Sequence, residues 1–508
     1  MYSSETSPNS DKQTIPYFNE LSFISLVAIY TYLFYQQGIG INYFIFSTLI
    51  PIVYLIKNKK LMHNPSFLLV GFGVIFTGFL CFYYGSEFHL FLNKTSLLLL
   101  AGMYYAPKSS LILATFNSFF TYVTLPITLI MDLFSLKNQP VKKYGSIVKY
   151  LFLSIIPIVL AAVFLIIYSI SNPILTQFLS QLNFKFISIG FILFGFYAFV
   201  VIYGLMRPKG VDSLVAFEEK KANDLNTEQN VLYTSFLKFF SIKSEIYIAS
   251  AVFILLNLIL GLNNGLDVYY LFIKKMLPLH LTYTDFIHQG VNALILSIFL
   301  AIGLIMYFFS SRLNFIKNAQ YIKALAYIWI VQNGMLVYLC FYKNQLYNTN
   351  YGLTYKRIGV YTFLLLALIG LGCTFWKILK YKTNYFLIRK NSWALYLTVV
   401  MISSYDWDQA ITNYNLNICK NKNIDYEYLM SLDHTSIPLL YQKLIVDKAD
   451  YESTKSLIQT SVLYDDEDAF FSTTKETLVH KIESLKKAES SYGAVSYCYS
   501  RNEILSKF

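Results

Sequence analysis

Long apolar stretches recur along the first four-fifths of the chain, and they restrict what it can fold into. A helix of about 20 apolar residues crosses a bilayer, and fewer suffice where flanking Lys and Tyr side chains reach the interface. The sequence therefore predicts an all-α protein, a polytopic transmembrane helix bundle of about 11–12 spans with a small C-terminal helical domain. The candidate spans are 21–35, 40–56, 66–84, 109–131, 149–171, 184–206, 245–262, 286–310, 322–342, 357–376 and 391–404.

The composition supports a lipid-facing surface. Only 14% of the 508 residues are charged and 56% are hydrophobic, whereas soluble domains are about 25% charged. We therefore expect the lipid bilayer to be the principal partner. No nucleic-acid partner is expected, because the chain contains no basic helix and no module in which basic and aromatic residues alternate.

Basic loops between spans indicate the orientation of the chain. The Lys and Arg residues concentrate in 57–60, 137–149, 207–243, 312–323 and 377–390, and such loops are retained in the cytoplasm. If 90–131 crosses once, the N-terminus is cytoplasmic, eleven spans follow, and the tail lies outside. Residues 90–106 alone could instead form a twelfth span or a half-inserted segment. The first twenty residues lack the features of a secretory signal, so the first span is expected to remain as an anchor.

Changes in composition divide the chain into five segments. Residues 1–20 are polar, 21–206 hold a first group of transmembrane helices, and 207–244 form a polar amphipathic linker. Residues 245–404 hold a second group of transmembrane helices, and 405–508 form a soluble, mostly helical domain. We found no internal repeat that would indicate an inverted-repeat transporter.

Polar residues at membrane depth are the candidate site. Asp285, His288, Gln289 and Asn292 share one helical face because they are three or four residues apart. An Asp with a His one turn later could relay protons or bind a cation. Alternatively, Asp285 caps the helix and His288 lies at the interface.

Two adjacent amides, Gln332 and Asn333, interrupt the span 322–342. They could join helices by hydrogen bonds or line a polar pathway. No zinc, iron-sulfur, phosphate-loop or hydrolase motif was found, so no cofactor, metal or catalytic residue is predicted. Cys419 and Cys498 could pair if the tail meets oxidising conditions.

The C-terminal domain is predicted to contain three helices. Asp425 can cap the first, Ser436 and Pro438 mark the start of the second, and 465–487 forms the third, with Leu478, Ile482 and Leu485 on its apolar face. The acidic start and basic end of 465–487 complement the helix dipole.

Several short motifs resemble those of a bacterial membrane family known as domain of unknown function 4173, and of its relative 4153. The residues that carry the resemblance are Arg357, Tyr414, Asn415, Asp425, Tyr428 and Pro438, with Tyr283, Asp285 and Gly290 further upstream. The resemblance implies a multi-pass protein of the bacterial cytoplasmic membrane and adds no activity. Arg357 could equally be an interfacial anchor, and Asn415 a cap or turn residue.

Three functional hypotheses follow. The first is a non-enzymatic transport, channel-like or sensing protein for a small solute or ion. The second is a membrane-anchored scaffold that binds a protein partner through residues 405–508. The third is an intramembrane lipid-modifying enzyme, for which no acid–base pair was found. The sequence favours a protein that is not an enzyme and does not determine the oligomeric state.

Overall fold

The computed structural model describes residues 16–135, 157, 160–161, 164–165, 167–181, 189–225, 242–274, 283–309, 314–315, 320–418, 424–446 and 465–508. These residues form helices and short turns, with no strand among them. The predicted all-α fold is therefore confirmed. The chain divides into two compact units: Met1–Val215 with Glu489–Tyr499, and Ala216–Ala488 with Ser500–Phe508.

The described part of the first unit consists mainly of helices, and the first five of them follow one another through short turns. They are α1 Pro16–Phe34, α2 Ile41–Lys57, α3 Pro65–Tyr84, α4 Glu87–Tyr105, α5 Leu111–Ser135, α6 Pro173–Gln181 and α7 Ile189–Met206, and α8 Asp212–Glu219 begins in this unit. Short connections make neighbouring helices antiparallel. α7 packs on α1, with the rings of Phe23 and Phe199 edge to face at 5.5 Å.

Local sequence explains where α3 and α4 begin and end. Asn64 caps α3 by accepting a hydrogen bond from the Phe67 backbone N–H, and Pro65 occupies the first helical position. α3 ends at Gly85, whose φ of 65° is the left-handed conformation that glycine adopts without strain. Ser86 then caps α4. These residues produce a turn tight enough to lay α4 back along α3.

Residues 90–131 do not form one continuous helix, and the single crossing of this stretch stays a prediction. The structure contains two packed helices there, α4 and α5, joined by a turn that contains Pro107 and Lys108. Proline disfavours the helical conformation of the residue before it, so a helix often ends just ahead of a proline. α4 alone is about 28 Å long, which is the length of a membrane span. The loop 137–149 lies outside the described residues.

The two ends of the first unit differ in charge. The turns after α2 and after α4 lie together, since Asn64 Nδ2 donates to the Pro107 carbonyl over 2.8 Å. The end of α7 joins them through Tyr54, whose hydroxyl donates to the Leu205 carbonyl over 2.6 Å. This end carries the following basic residues: Lys57, Lys59, Lys60, Lys108 and Arg207.

The opposite end of the first unit holds a segment from the C-terminus of the chain. The Gly38 N–H donates to Ser496 Oγ over 2.8 Å, and Ser496 Oγ donates to Gln37 Oε1 over 2.7 Å. The Ile41 N–H donates to the Tyr497 carbonyl over 2.9 Å. Residues 489–499 are therefore tied to the α1–α2 turn by backbone and side-chain hydrogen bonds.

The second unit contains five long helices. They are α9 Ile242–Val268, α10 Tyr283–Phe308, α11 Gln320–Tyr351, α12 Tyr355–Leu379 and α13 Asn384–Ile402. Phe253, Ile305, Ile322 and Trp329 belong to their shared apolar core. α13 begins well before the predicted span 391–404, because Thr383 caps it by accepting a hydrogen bond from the Phe386 N–H.

Basic loops of the second unit also share one end. Lys377 Nζ donates to the Phe309 carbonyl over 2.8 Å, and Asn384 Nδ2 donates to the Met306 carbonyl over 3.1 Å. The α10–α11 and α12–α13 connections therefore lie together. The α11–α12 loop and the end of α13, from which the tail continues, lie at the other end.

The C-terminal tail adds five shorter elements. They are α14 Trp407–Asn413, α15 Tyr426–Ser431, α16 Ile437–Tyr441, α17 Asp465–Ser491 and α18 Tyr499–Leu505. The predicted helix starts are confirmed, with Asp425 as the cap of α15 and Pro438 in the first turn of α16. Leu478 and Ile482 lie in the apolar core of the tail and Leu485 packs against it, as predicted for α17.

Five of the helices in the described part of the chain are long and apolar enough to cross a membrane. They correspond to Pro65–Tyr84, Leu111–Leu129, Lys243–Lys274, Gln320–Tyr351 and Tyr355–Leu379, and shorter apolar helices cover Ser22–Phe34, Ile41–Lys57, Gly190–Met206 and Leu296–Phe308. All nine overlap predicted spans. The span 149–171 is described only at isolated positions and then at 167–171.

Candidate functional site

A buried ion pair joins α9 and α11 in the second unit. Lys343 Nζ lies 2.7 Å from Asp267 Oδ2, and the two side chains are 8% and 12% exposed. Removing two charges from water costs several kcal/mol per ion, which close pairing only partly offsets. Ionisable residues within apolar bundles mark functional sites for this reason. The pair is therefore the strongest candidate site in the described part of the chain.

The pair lies far along both helices. From the start of α11 at Gln320 to Lys343 the rise is about 35 Å, and from Lys243 to Asp267 it is similar. Both helices start at the basic end of the second unit. The pair is consequently close to the opposite end, from which the tail continues.

Uncharged polar groups lie next to the pair on α11. Asn344 Nδ2 donates to the Arg357 carbonyl over 3.2 Å, and Asn348 Nδ2 donates to the Tyr361 hydroxyl over 2.8 Å. The Tyr361 hydroxyl donates to Gln345 Oε1 over 2.8 Å. Asn344 and Asn348 are 1% and 2% exposed. α11 and α12 thus enclose a polar patch at this end of the bundle.

The loop between α11 and α12 is held by Asn415 of the tail. Gly352 has a φ of +82°, which allows the chain to turn sharply after α11. Asn415 Oδ1 accepts from the Leu353 N–H over 2.5 Å, and Asn415 Nδ2 donates to the Leu353 carbonyl over 2.9 Å. One amide side chain therefore satisfies both backbone groups of a loop residue.

Two further family-motif positions hold the same loop. The Arg357 guanidinium donates to the Tyr351 carbonyl over 2.9 Å and also to the Gly352 carbonyl, so it caps the end of α11. It lies 4.2 Å from the centre of the Tyr347 ring. The Tyr428 hydroxyl accepts from the Tyr355 N–H over 2.9 Å. The motif residues thus connect the tail to the end of the helix that carries the ion pair.

The remaining motif positions act locally. Asp425 Oδ1 accepts from the Tyr428 N–H over 2.9 Å, which orients the tyrosine that holds the loop. Tyr414 is half-buried and opens the π-helical turn that contains Asn415. Pro438 starts α16. These residues support the three side chains that hold the α11–α12 loop, namely Arg357, Asn415 and Tyr428, which we call the loop clamp.

Amides connect α9 and α11 nearer the middle of the bundle. Gln332 Nε2 donates to Asn257 Oδ1 over 3.2 Å, and Asn264 Nδ2 donates to the Gln332 carbonyl over 2.9 Å. Asn333 Nδ2 donates to the Trp329 carbonyl of its own helix over 2.8 Å. Gln332 and Asn264 hold the two helices side by side, as interhelical amides do.

The polar face predicted on α10 concerns four side chains that lie outside the described residues. The backbone of α10 is helical from Tyr283, but the side chains of Asp285, His288, Gln289 and Asn292 lie outside the described residues. Their proposed role in proton or cation binding stays a prediction.

Sequence reasoning missed Asp267 and Lys343 because the predicted spans ended at 262 and 342, where apolar residues give way to polar ones. The helices continue past those points. One signal was available: buried positions recur on α11 at Leu336, Cys340, Lys343 and Tyr347, which is the 3.6-residue period of one helical face. That period carries the buried face directly onto Lys343.

A second group of ionisable residues lies in the tail. Burial raises the pKa of Asp408, and the negative charges of Asp433 and Asp406 raise it further, while a hydrogen bond with Tyr355 opposes the shift. For Asp433 burial also acts to raise the pKa, but the hydrogen bonds and charge of His434 outweigh it, so this pKa is lowered. Among the described residues no group of three His, Cys, Asp or Glu could hold a metal ion.

Asp408→Asn is expected to raise the melting temperature by a few degrees near pH 7. Because the folded-state pKa of Asp408 lies above its unfolded value, its charged form destabilises the fold. That penalty is complete above the folded pKa and disappears as the pH falls to the unfolded value. Melting curves of both proteins from about pH 7.5 to about pH 4 should therefore converge on acidification. A gain that is independent of pH would contradict the assignment.

A hydrogen-bond chain links Asp433, His434 and Ser500. Asp433 Oδ1 lies 2.7 Å from His434 Nδ1, and His434 Nε2 lies 2.9 Å from Ser500 Oγ. The exposure runs opposite to that of a hydrolase triad, since the Asp433 side chain is 37% exposed while Ser500 is 8% exposed. This series of hydrogen bonds is suited to holding Ser500 against the apolar core of the tail.

Comparison with known proteins gives one match. The family model described as Domain of unknown function (DUF4153) matches residues 21–442, and it is the second of the two families that the sequence motifs resemble. Neither a curated protein nor a solved structure matches the chain. The matched range includes the ion pair and the loop clamp.

Proposed function

Because the chain belongs to the DUF4153 family, whose description names no activity, we propose from the geometry that it is an integral membrane protein that binds a small charged solute or ion, for transport or sensing. The observation that carries the proposal is the buried Asp267–Lys343 pair. We place the binding site at this pair and the neighbouring polar groups of α11 and α12.

The chemistry of the pair supports a ligand with a charge of its own. A solute carboxylate could take the place of Asp267 beside Lys343, and a cationic group could take the place of Lys343 beside Asp267. A ligand with both groups would satisfy both residues without leaving a buried charge unpaired. Asn344, Asn348 and Tyr361 offer donors and acceptors close by. A small zwitterion therefore fits best, and a single ion is the simpler case.

The distribution of basic residues supports an extracytoplasmic site. In each unit, segments of the tail lie at the end opposite the basic loops that the structure describes, and basic loops stay in the cytoplasm of bacteria. We accordingly assign the protein to the bacterial cytoplasmic membrane as a multi-pass protein, with its tail outside. The Asp267–Lys343 pair then lies near the outer boundary of the roughly 30 Å hydrocarbon core.

The test is ligand-dependent thermal stabilisation of the purified protein in detergent. A panel of amino acids, dicarboxylates, and monovalent and divalent cations would be compared on the wild type and on the charge-swapped variant Asp267→Lys with Lys343→Asp. A ligand at 100 times its dissociation constant stabilises by about 2.7 kcal/mol. We expect one class to stabilise the wild type and to lose most of its effect in the swap, which keeps a pair but reverses its polarity.

Two outcomes would overturn the proposal. Equal stabilisation of both proteins would place the ligand elsewhere. No stabilisation of the wild type by any member of the panel would remove the support for a solute site of this chemistry.

A scaffold is the second candidate, favoured by the way the tail is held. Asn415 and Tyr428 fix it to the α11–α12 loop, and it has its own apolar core around Leu429, Leu440 and Leu478. A domain that docks a protein partner benefits from such rigid placement. This function predicts that partner binding resides in residues 405–508 and is unaffected by variants of the ion pair.

A further inference from the structure

We propose that the basic end of the first unit contains a binding site for an anionic phospholipid headgroup, formed by Lys57 and Arg207 at the adjoining ends of α2 and α7. The phosphodiester of phosphatidylglycerol or cardiolipin is the chemistry that the site fits. The site is separate from the ion pair of the second unit, and the inference does not depend on the proposed function.

The position of the Lys57 ammonium carries the argument. The side chain is half-buried, and its Nζ lies 3.5 Å from Met206 Sδ. A thioether is a weak acceptor, which does not replace the hydration that a cation loses on burial. Arg207 directly follows the methionine that Lys57 contacts, and it acts on the ammonium as a like charge. Two cations brought together in this way are stabilised when an anion binds between them.

The arginine is held in place by the structure around it. Its guanidinium lies 5.7 Å from the centre of the Tyr203 ring, which itself is 3% exposed. Next along the chain, the Lys209 N–H donates to Thr121 Oγ1 over 2.9 Å, and Thr121 Oγ1 donates to the Lys209 carbonyl over 2.7 Å. The loop after α7 is thereby fixed on α5.

The same loop is fixed at a second point. The Val211 N–H donates to Asn117 Oδ1 over 3.3 Å, and the Tyr105 hydroxyl donates to Asp212. Gly210 fits closely between Asn117 and Tyr105, where a Cβ would come within 2.5 Å of both side chains. The loop that presents Arg207 is therefore preorganised, so binding does not have to order it.

The surface next to the cations favours a lipid over a free anion. Ile52 and Ile56 of α2 are 46% and 52% exposed, and they precede Lys57 on the same helix. Acyl chains can lie along them while the headgroup phosphate contacts Lys57 and Arg207. Basic pockets between helix ends on the cytoplasmic side bind anionic headgroups in this manner.

Lipid binding to the full-length protein in detergent tests the proposal. Cardiolipin, phosphatidylglycerol and phosphatidylcholine would be titrated while bound lipid is measured by native mass spectrometry. The variant Lys57→Gln with Arg207→Gln is expected to weaken cardiolipin and phosphatidylglycerol binding about thirtyfold, because each of the two basic residues near an anionic headgroup contributes about 1 kcal/mol. Phosphatidylcholine binding should not change.

The matched control is Lys59→Gln with Lys60→Gln. It removes the same charge from the exposed turn that follows α2, and it should weaken binding less than about threefold, because charges exposed to water are screened by salt. If the control loses as much affinity for the anionic lipids as the variant Lys57→Gln with Arg207→Gln does, the lipids respond only to general surface charge. That result would overturn the proposal.

Two further arms make the result decisive. The variant Lys57→Arg keeps the charge and should bind cardiolipin and phosphatidylglycerol about as well as the wild type does. Inorganic phosphate at millimolar concentration should not displace the lipid. If phosphate displaces it completely, the site recognises a free anion and the assignment to a lipid is wrong. Equal melting temperatures of the variants without lipid would show that the fold is intact.

Discussion

Lys343→Met in the full-length protein is expected to lower the free energy of unfolding by about 3–5 kcal/mol, the usual cost of leaving one member of a buried ion pair without its partner. The substitution preserves the length of the side chain but leaves the Asp267 carboxylate uncompensated at 12% exposure. Asp267→Leu should cost a similar amount, because it removes the carboxylate with which the Lys343 ammonium pairs. Both losses would be measured as shifts in apparent melting temperature in the same detergent.

The double variant Asp267→Leu with Lys343→Met separates pairing from burial. Apolar side chains of similar volume avoid the desolvation cost of both ions, so the double variant should regain most of the stability lost by either single variant. It should nevertheless fail to bind the ligand that stabilises the wild type. Additive losses in the double variant would show that the two residues do not interact across α9 and α11.

Gly102→Ala is the second substitution with a large expected effect. A Cβ at this position of α4 would overlap the Ala114 carbonyl oxygen of α5 and come within 2.8 Å of Ser118 Oγ. A small residue such as Gly102 allows the two helices to approach closely. The backbone atoms of Ala114 cannot move away from an added Cβ unless the two helices separate. We expect a loss of about 2–4 kcal/mol, in the range of other overpacked cores with backbone displacement.

Gly195→Ala is the matched control for that prediction. Gly195 lies in the apolar helix α7, and nothing lies within 4 Å of a Cβ built there. Alanine is about 1 kcal/mol more favourable than glycine inside a helix, so the control should be neutral or slightly stabilising. If Gly102→Ala behaves like Gly195→Ala, then α4 does not pack against α5 as described.

The Gly102→Ala prediction concerns residues 90–131, a segment in which the sequence left the number of spans open. The stretch 90–131 is apolar throughout most of its length, and hydropathy alone does not show where a chain reverses direction. Pro107 marked a boundary, but a proline can also lie within a helix, as Pro126 does in α5. The contact between Gly102 and α5 shows that the chain reverses at Pro107 instead of continuing as one helix. Hydropathy does not reveal contacts of this kind.

The sequence by itself determined the elements whose cause is local. The apolar spans, the cap at Asp425 and the position of Pro438 in the first turn of α16 depend on residues within a few positions of one another. These features need no knowledge of distant parts of the chain. The membership of the family also followed from short motifs of this kind.

The tertiary structure alone decided which distant residues meet. Asp267 and Lys343 are far apart in the chain and are paired only because α9 and α11 lie side by side. Asn415 contacts Leu353, and Ser496 contacts Gly38, for the same reason. A single sequence records periodicity and capping, which are local, whereas the energy of a buried charge depends on which helix covers it.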